Sequence, residues 1–326
     1  MTNARPDYLG EFLVSLIREF DGFYAPNSDW VKSTVDYYEK DLRRYLGTYF
    51  PRSLLETYDI ASELFGKVFG SQIATDGELR ILDVGCGMGG STIGLLFAVL
   101  EKFQIEKVIL EGFDANDESL RFFRKILNSS AWSKAREALR KLGAPGADAD
   151  IAVDLRKVSV SQRTFDVLQD DSEYDVIMTS KMLNELIVEK KYRRFLETYL
   201  PHLSEHGICF VIDVNDKRDR LHISQHLSNE SLEFLQSHDE FECLLPPGCG
   251  ICAEGDRRCE GFLQIVCRDT NFDRLNPDAE RGVSKVCCRV FCREPLYRYL
   301  KPQLMRFDFL ASEAGENHVY CPRLHS

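Results

Sequence analysis

The residues with the most chemical content form one run, Ile81-Leu82-Asp83-Val84-Gly85-Cys86-Gly87-Met88-Gly89-Gly90-Ser91. An apolar stretch that breaks into glycines and then resumes with helical spacing is a strand, a tight turn and a helix, an arrangement that lets backbone approach a ligand closely. Gly85, Gly87 and Gly90 also satisfy a dinucleotide fingerprint, which is a weak signal alone. Asp83 sets the chemistry. Two residues before the first glycine, a carboxylate would repel a pyrophosphate but suits a ligand with positive charge, such as S-adenosylmethionine with its ammonium and sulfonium. Asp114, in Gly112-Phe113-Asp114-Ala115-Asn116, ends the next apolar run, where a carboxylate accepts hydrogen bonds from a ribose diol. Asp166, followed by Val167, comes after a third strand signal, where it would accept from the adenine amino group. Three acids at successive strand ends point to S-adenosylmethionine ahead of a nicotinamide nucleotide.

The cysteines are the second group. The chain has eleven, eight of them between Cys243 and Cys292. Cys243, Cys249, Cys252 and Cys259 fall in a stretch with two prolines and several glycines, and Cys249-x2-Cys252 lets two sulfurs reach one metal. The expectation is a metal loop over 243–259 holding zinc or an iron-sulfur cluster, with free thiols as the alternative. Cys267, Cys288 and Cys292 read instead as thiols packed on strands. His202/His206 and His222/His226 have helical four-residue spacing but no HExxH acid, so they read as solvated surface, with His238 in reserve as a ligand.

The segment after the fourth strand signal, Met178-Thr179-Ser180-Lys181-Met182-Leu183-Asn184-Glu185-Leu186, is where an acceptor would meet the methyl group. It has no cysteine to attack a cytosine ring and no Asn/Asp-Pro-Pro-aromatic signature of exocyclic amine methylation. Ser180, Lys181, Asn184 and Glu185 read as a polar helix start, with acceptor positioning as the alternative. No side chain stands out as an obligatory catalyst.

These residues need elements to hold them. Phe12, Leu13, Leu16, Ile17 and Phe20 lie on one helical stripe, a second helix is expected from about Asp29, and Pro51 opens a third toward Phe69. Residues 1–76 are thus a helical extension or lid. From 77 to 326, strands at Arg80–Val84, Lys107–Phe113, Lys157–Val160, Tyr174–Thr179 and Gly207–Val214 alternate with helices, which predicts a doubly wound, mostly parallel α/β sheet. Ser129–Asp150 reads as a surface insertion broken at Gly143–Gly146, and the runs at Gly261–Cys267 and Lys285–Arg293 as an antiparallel final pair at the sheet edge. The chain has 326 residues, 44% hydrophobic and 29% charged, a globular balance without an apolar run long enough to span a bilayer. A net charge of −11 disfavours a general nucleic-acid coat. The start, MTNARPDYLGEFL, lacks a signal peptide's apolar core, so the expected location is cytoplasmic.

The glycine run and the strand order resemble class I S-adenosylmethionine-dependent methyltransferases, whose Rossmann-like, seven-stranded sheet ends in an antiparallel hairpin. The resemblance covers about 77–295. It implies that Asp83, Gly85, Cys86, Gly87 and Gly89 line the methionine end, Asp114 and Ala115 the ribose, Asp166 and Val167 the adenine, and that Ser180 closes the site. Three further features are similar to a narrower family: TYFPRSLLETYDIASELF before the first strand, SKMLNEL after the fourth, and the C-x5-C-x9-C loop that ends in Cys259-Glu260-Gly261-Phe262. They resemble the methyltransferase-like proteins that associate with the mitochondrial small ribosomal subunit during assembly, and their bacterial relatives. That likeness implies an iron-sulfur cluster on Cys243, Cys249 and Cys259, with a fourth ligand among Cys252, Cys288, Cys292 and Cys321, and contact with ribosomal RNA. This chain departs from it in the Cys-Glu-Gly-Phe where the family often has Cys-His-Phe, in its acidity and in lacking a transit peptide.

One stretch fits an anionic partner. Between Arg281 and Arg306, seven basic residues face one acid, with Tyr297 and Tyr299 interleaved, although a charge-protected edge strand has the same composition. The expected function is methyl transfer to RNA, ribosomal RNA first, with the small ribosomal subunit as partner. The alternatives are a non-catalytic S-adenosylmethionine-binding assembly factor and a small-molecule methyltransferase with a helical lid.

Overall fold

Ile81 to Val84 are buried at every position, the pattern of a strand covered on both faces, and they belong to β1 (Glu78–Val84) at the centre of the sheet. The computed structural model describes residues 5–26, 39–67, 77–158, 172–186, 189–215, 217–218, 221–245, 262–266, 283–304 and 318–320. β1 pairs in parallel with β2 (Lys107–Asp114) on one side and β4 (Tyr174–Ser180) on the other. β3 (Asp150–Lys157) lies outside β2, and β5 (Leu203–Val214) outside β4, both parallel. Because the chain builds outward from β1 in one direction and from β4 in the other, the order reverses between them. Ligands of such sheets bind in the crevice at the carboxyl ends of the strands flanking that reversal.

Beyond β5 the direction changes. β10 (Val283–Arg293) runs antiparallel to β5, and its outer edge is shared by β8 (Phe241–Leu245) and β9 (Phe262–Val266), with β11 (His318–Tyr320) on β9. The expected doubly wound sheet with an antiparallel end is therefore present, but with nine strands among the described residues, because two short strands split one position and a third caps it. β10 sits inside that arrangement, not at its edge.

The helices explain how the extension belongs to this sheet. α4 (Gly90–Lys102) is buried from Gly90 to Leu100, since the sheet covers one side and α3 (Phe50–Lys67) the other. A Cβ at Gly94 would lie 2.2 Å from the Leu54 carbonyl oxygen, so the two helices touch backbone to backbone. α1 (Asp7–Glu19) buries Phe12 edge-on to Phe97 of α4 at 5.2 Å and to Trp132 of α6 (Ser130–Lys141) at 6.3 Å. Glu19 at its end accepts from the Ser130 and Ala131 amides, both at 3.0 Å, where a carboxylate complements the helix N-terminus. α2 (Glu39–Thr48) completes the extension, α5 (Asp117–Leu127) follows β2, α7 (Lys191–Tyr199) leads toward β5, and α8 (Ile223–Leu235) and α9 (Glu294–Leu304) cover the β10 side. A two-residue hairpin pair, β6 (Lys217–Arg218) and β7 (Leu221–His222), stands apart from the main sheet. Among the described residues no helix is long and apolar enough to cross a membrane.

Two expectations are corrected. The third strand is Asp150–Lys157, not Lys157–Val160. As an edge strand it keeps only Leu155 buried, so its sequence DIAVDLRK never shows the apolar run that marked the central strands. The Gly143–Gly146 segment is no loose insertion: the Gly146 amide donates to the Leu100 carbonyl at 3.0 Å, and Ala147 and Ala149 are buried. The helix expected from Asp29, and the stretch with Asp166 and Val167, lie outside the described residues.

Candidate functional site

At the carboxyl end of β1 the backbone turns sharply, and the Gly85 and Cys86 amides both donate to the Phe113 carbonyl at 2.7 and 3.0 Å. Gly85, Gly87 and Gly89 have positive φ, but they are glycine for different reasons. A Cβ at Gly85 would collide with Met182, and one at Gly89 with the Phe123 ring, so packing excludes side chains there. Among the described residues, a Cβ at Gly87 would meet nothing closer than Asp114 Oδ2 at 3.9 Å, leaving an open face above the turn. Cys86 packs inward, and burial holds its thiol well above the ordinary range, so it is a packing residue and not a reactive one.

Two acids frame that face. Asp83 is 1% exposed, its Oδ2 accepts from the Thr92 hydroxyl of α4, and its Oδ1 is buried with no hydrogen-bond partner among the described residues. Burial, opposed by Thr92 and reinforced by Asp114, pushes its carboxyl up to about 7. Asp114 ends β2, where Oδ2 accepts from the Gly87 amide and Oδ1 from the Asn116 amide, each at 2.8 Å. Burial raises its carboxyl too, against those two amides. Half-buried Ala115 follows it, and Asn116 caps α5 by accepting from the Ser119 amide at 2.8 Å. The residues singled out from sequence thus converge on one place: Asp83, Gly85, Cys86, Gly87, Gly89, Asp114 and Ala115 surround a single turn at the switch point. The set fits a cationic adenosine ligand. The fit rests on an orphaned buried carboxylate oxygen and on a glycine face that a Cβ would fill.

Across the switch point stands a second polar group, only part of which lies in the Ser180–Glu185 segment. Ser180 ends β4, with its Oγ buried and unpartnered among the described residues. Lys181 follows in the left-handed region at φ 59°, a strained conformation for a lysine. Its ammonium pairs with Glu56, a fully buried carboxylate on α3, and donates to Ser53 Oγ at 3.3 Å. Asn184 is no helix-starting surface residue. Its side-chain amide donates to Lys181 O at 2.7 Å and to Asp213 Oδ1 at 2.6 Å, and its backbone amide to Asp213 Oδ2 at 3.0 Å. Asp213, near the end of β5, also accepts from the Tyr192 hydroxyl and the Val214 amide, each at 2.8 Å. Burial raises its carboxyl while these donors pull it down. The signals for these partners were an acid among the apolar spacings of α3 and an acid closing the apolar run GICFVIDV.

The cysteine group divides. Cys243 lies in β8, buried, and its thiol donates to the Leu245 carbonyl at 3.1 Å. It is placed at the end of a strand, immediately before the stretch that holds the other three cysteines of the expected loop. Cys249, Cys252 and Cys259 lie outside the described residues, and among the described residues no cluster of three metal-ligating side chains occurs. Cys288 and Cys292 are buried on β10, as expected of strand thiols. His238 stacks on Phe234 at 4.2 Å, its Nδ1 3.0 Å from the Phe234 carbonyl.

The basic stretch also divides. Arg289 is buried and donates to the Cys288 carbonyl and to Ser228, while Arg293 donates to the Leu203 and Pro201 carbonyls. Arg298 and Lys301 on α9 stay exposed, with Tyr299 54% exposed beside them.

No family model and no curated protein matches the chain. Several solved structures are similar to it. The plantazolicin methyltransferase BpumL in complex with SAH is 13% identical, over 86% of this chain and 94% of that one, with a TM-score of 0.40. A SAM-dependent methyltransferase from Aquifex aeolicus is 19% identical, over 76% and 95%, at 0.36. Precorrin 8w decarboxylase from Methanobacterium thermoautotrophicum is 14% identical, over 72% and 89%, at 0.35. Likeness at these levels assigns no activity, and the functional argument rests on this chain's own residues.

Proposed function

We propose that the chain is an S-adenosylmethionine-dependent methyltransferase. The observation that carries this reading is the pair of buried carboxylates around an open glycine at the switch point, one of them with an oxygen that no group among the described residues satisfies. A buried acid with no cation beside it is costly unless a ligand brings the positive charge. Asp114 suits the ribose, and the open face at Gly87 lets the methionine end lie against backbone. Transfer then needs little from side chains. The acceptor's lone pair attacks the methyl carbon as the sulfur–carbon bond breaks, and the protein contributes alignment of the two. Calorimetry with S-adenosylhomocysteine tests the reading: binding is expected for the natural chain and loss of binding for Asp83→Ala, and no binding to the natural chain would refute it.

For the acceptor, a polar cluster lies between α3 and the β4 end, where Glu56, Ser53 and Lys181 meet. This supports a small molecule or a single extruded group. RNA, ribosomal RNA included, is the second reading, and what supports it is exposed Arg298, Lys301 and Tyr299 on one helix. Retention on heparin that falls steeply with salt, and falls further in an Arg298→Glu/Lys301→Glu double variant, supports RNA. Absence of retention at low salt refutes it. Metal content and visible absorbance of anaerobically purified protein test the proposed zinc or iron-sulfur loop, with a colourless, metal-free protein as the refuting result.

A further inference from the structure

Asp83 has a surrounding unlike that of the other buried acids near the site. Asp213 accepts from four donors and Glu56 has Lys181, whereas Asp83 receives one hydroxyl, from Thr92 of α4, and its Oδ1 has no partner among the described residues. The titratable groups acting on it are Asp114 on β2 and Cys86 in the turn, an acid and a thiol, neither of which supplies positive charge. Its register neighbours are Gly112 of β2 and Met178 of β4. The nearest lysine along β4, Lys181, is committed to Glu56 of α3. A carboxylate so placed is poorly stabilised as an anion until a cation arrives.

We propose that Asp83 carries a proton in the free protein and gives it up when the ligand's ammonium arrives, so that this carboxyl makes the site select for positive charge at the methionine end. The inference rests on the methyltransferase reading and adds to it a linkage. The neutral acid becomes a carboxylate paired with the ligand's ammonium, and the proton goes to the buffer. A ligand with the same adenosine but no amino acid gains nothing from Asp83.

The test is calorimetric titration of the full chain with S-adenosylhomocysteine in two buffers of different ionisation enthalpy. With the free carboxyl titrating near 7, about 0.9 proton is released per ligand at pH 6 and about 0.1 at pH 8, and affinity is about tenfold tighter at pH 8 than at pH 6. S-adenosylmethionine should behave likewise, and 5′-methylthioadenosine, which lacks the ammonium, should bind without linked release. Asp83→Asn should abolish both release and pH dependence. Thr92→Val removes the donor that favours the charged form, so it should move the midpoint upward, a shift that a merely structural role for Thr92 would not produce. Tight, pH-independent binding without proton release, or release unchanged in Asp83→Asn, overturns the inference while leaving the methyltransferase reading intact. Failure of all three ligands to bind between pH 6 and pH 8 overturns both.

Discussion

The two sides of the switch point solve the same problem in opposite ways. Each buries carboxylates at strand ends, a costly thing to do in a low-dielectric interior. On the β4–β5 side the charges are closed among themselves, with four donors on Asp213 and an ion pair between Glu56 and Lys181. On the β1–β2 side they are left open, with one Asp83 oxygen unmatched and no side-chain cation on either acid among the described residues. A satisfied network holds a shape, and an unsatisfied one is a demand for a ligand. In the proposed reading, the second kind is the one that receives the charged methyl donor.

The sharpest way to break the comparison is to neutralise one acid on each side. Asp83 has a carboxyl raised to about 7 in the folded chain from an ordinary 3.8, so it subtracts stability progressively as pH rises from about 4 to 7. Asp83→Asn should therefore stabilise the ligand-free protein by up to about 4 kcal/mol at pH 8, with the gain vanishing near pH 4. Chemical denaturation across that range measures it, and a variant less stable than the natural chain at pH 8 would contradict the open-charge account. Asp213→Asn should do the reverse. All four partners of Asp213 are donors, an amide in its place turns two hydrogens toward them, and a loss of about 2 kcal/mol at pH 8 is expected by the same measurement.

Glu56→Gln comes next. It leaves the Lys181 ammonium, only partly exposed at 22%, without its counter-charge, and about 2 kcal/mol of stability should be lost. A Glu56→Gln/Lys181→Met double variant removes both charges and should regain most of that loss. If the double variant is as unstable as the single one, the pair is not what ties α3 to the β4 end.

How much of this was legible follows from how local each feature is. The glycine turn, Asp83 and Asp114 sit in short runs where strand, turn and acid are neighbours in sequence, and they converge as read. Glu56 and Lys181 are 125 positions apart in sequence, and Asn184 and Asp213 are 29 apart, so no local pattern joins them. The edge strand β3 need not bury its residues, so its sequence carries no apolar run to mark it. Arg289 stands in a basic stretch of sequence yet is among the largest fully buried side chains, because spacing along β10 does not reveal which face α8 covers. That Cys243 lies in β8 has only a short signal, the alternation in Phe241-Glu242-Cys243.

The smallest effect on stability and the most specific effect on binding should come from Gly87→Ala. Gly87 has φ 52°, so a side chain there costs about 1 kcal/mol in backbone strain, but among the described residues the new methyl meets nothing nearer than Asp114 Oδ2 at 3.9 Å. Folding should therefore be nearly intact, with a melting temperature only a few degrees lower. The methyl does occupy the open face proposed for the methionine end, so S-adenosylhomocysteine affinity should fall at least about tenfold, equivalent to about 1.4 kcal/mol. Gly89→Ala supplies the contrast. Its methyl would lie 2.2 Å from the Phe123 ring, so stability should suffer first and binding only as a consequence. If the two variants lose stability and affinity in the same proportion, the openness at Gly87 is not a ligand face, and the distinction between the demanding and the satisfied side of the switch point fails with it.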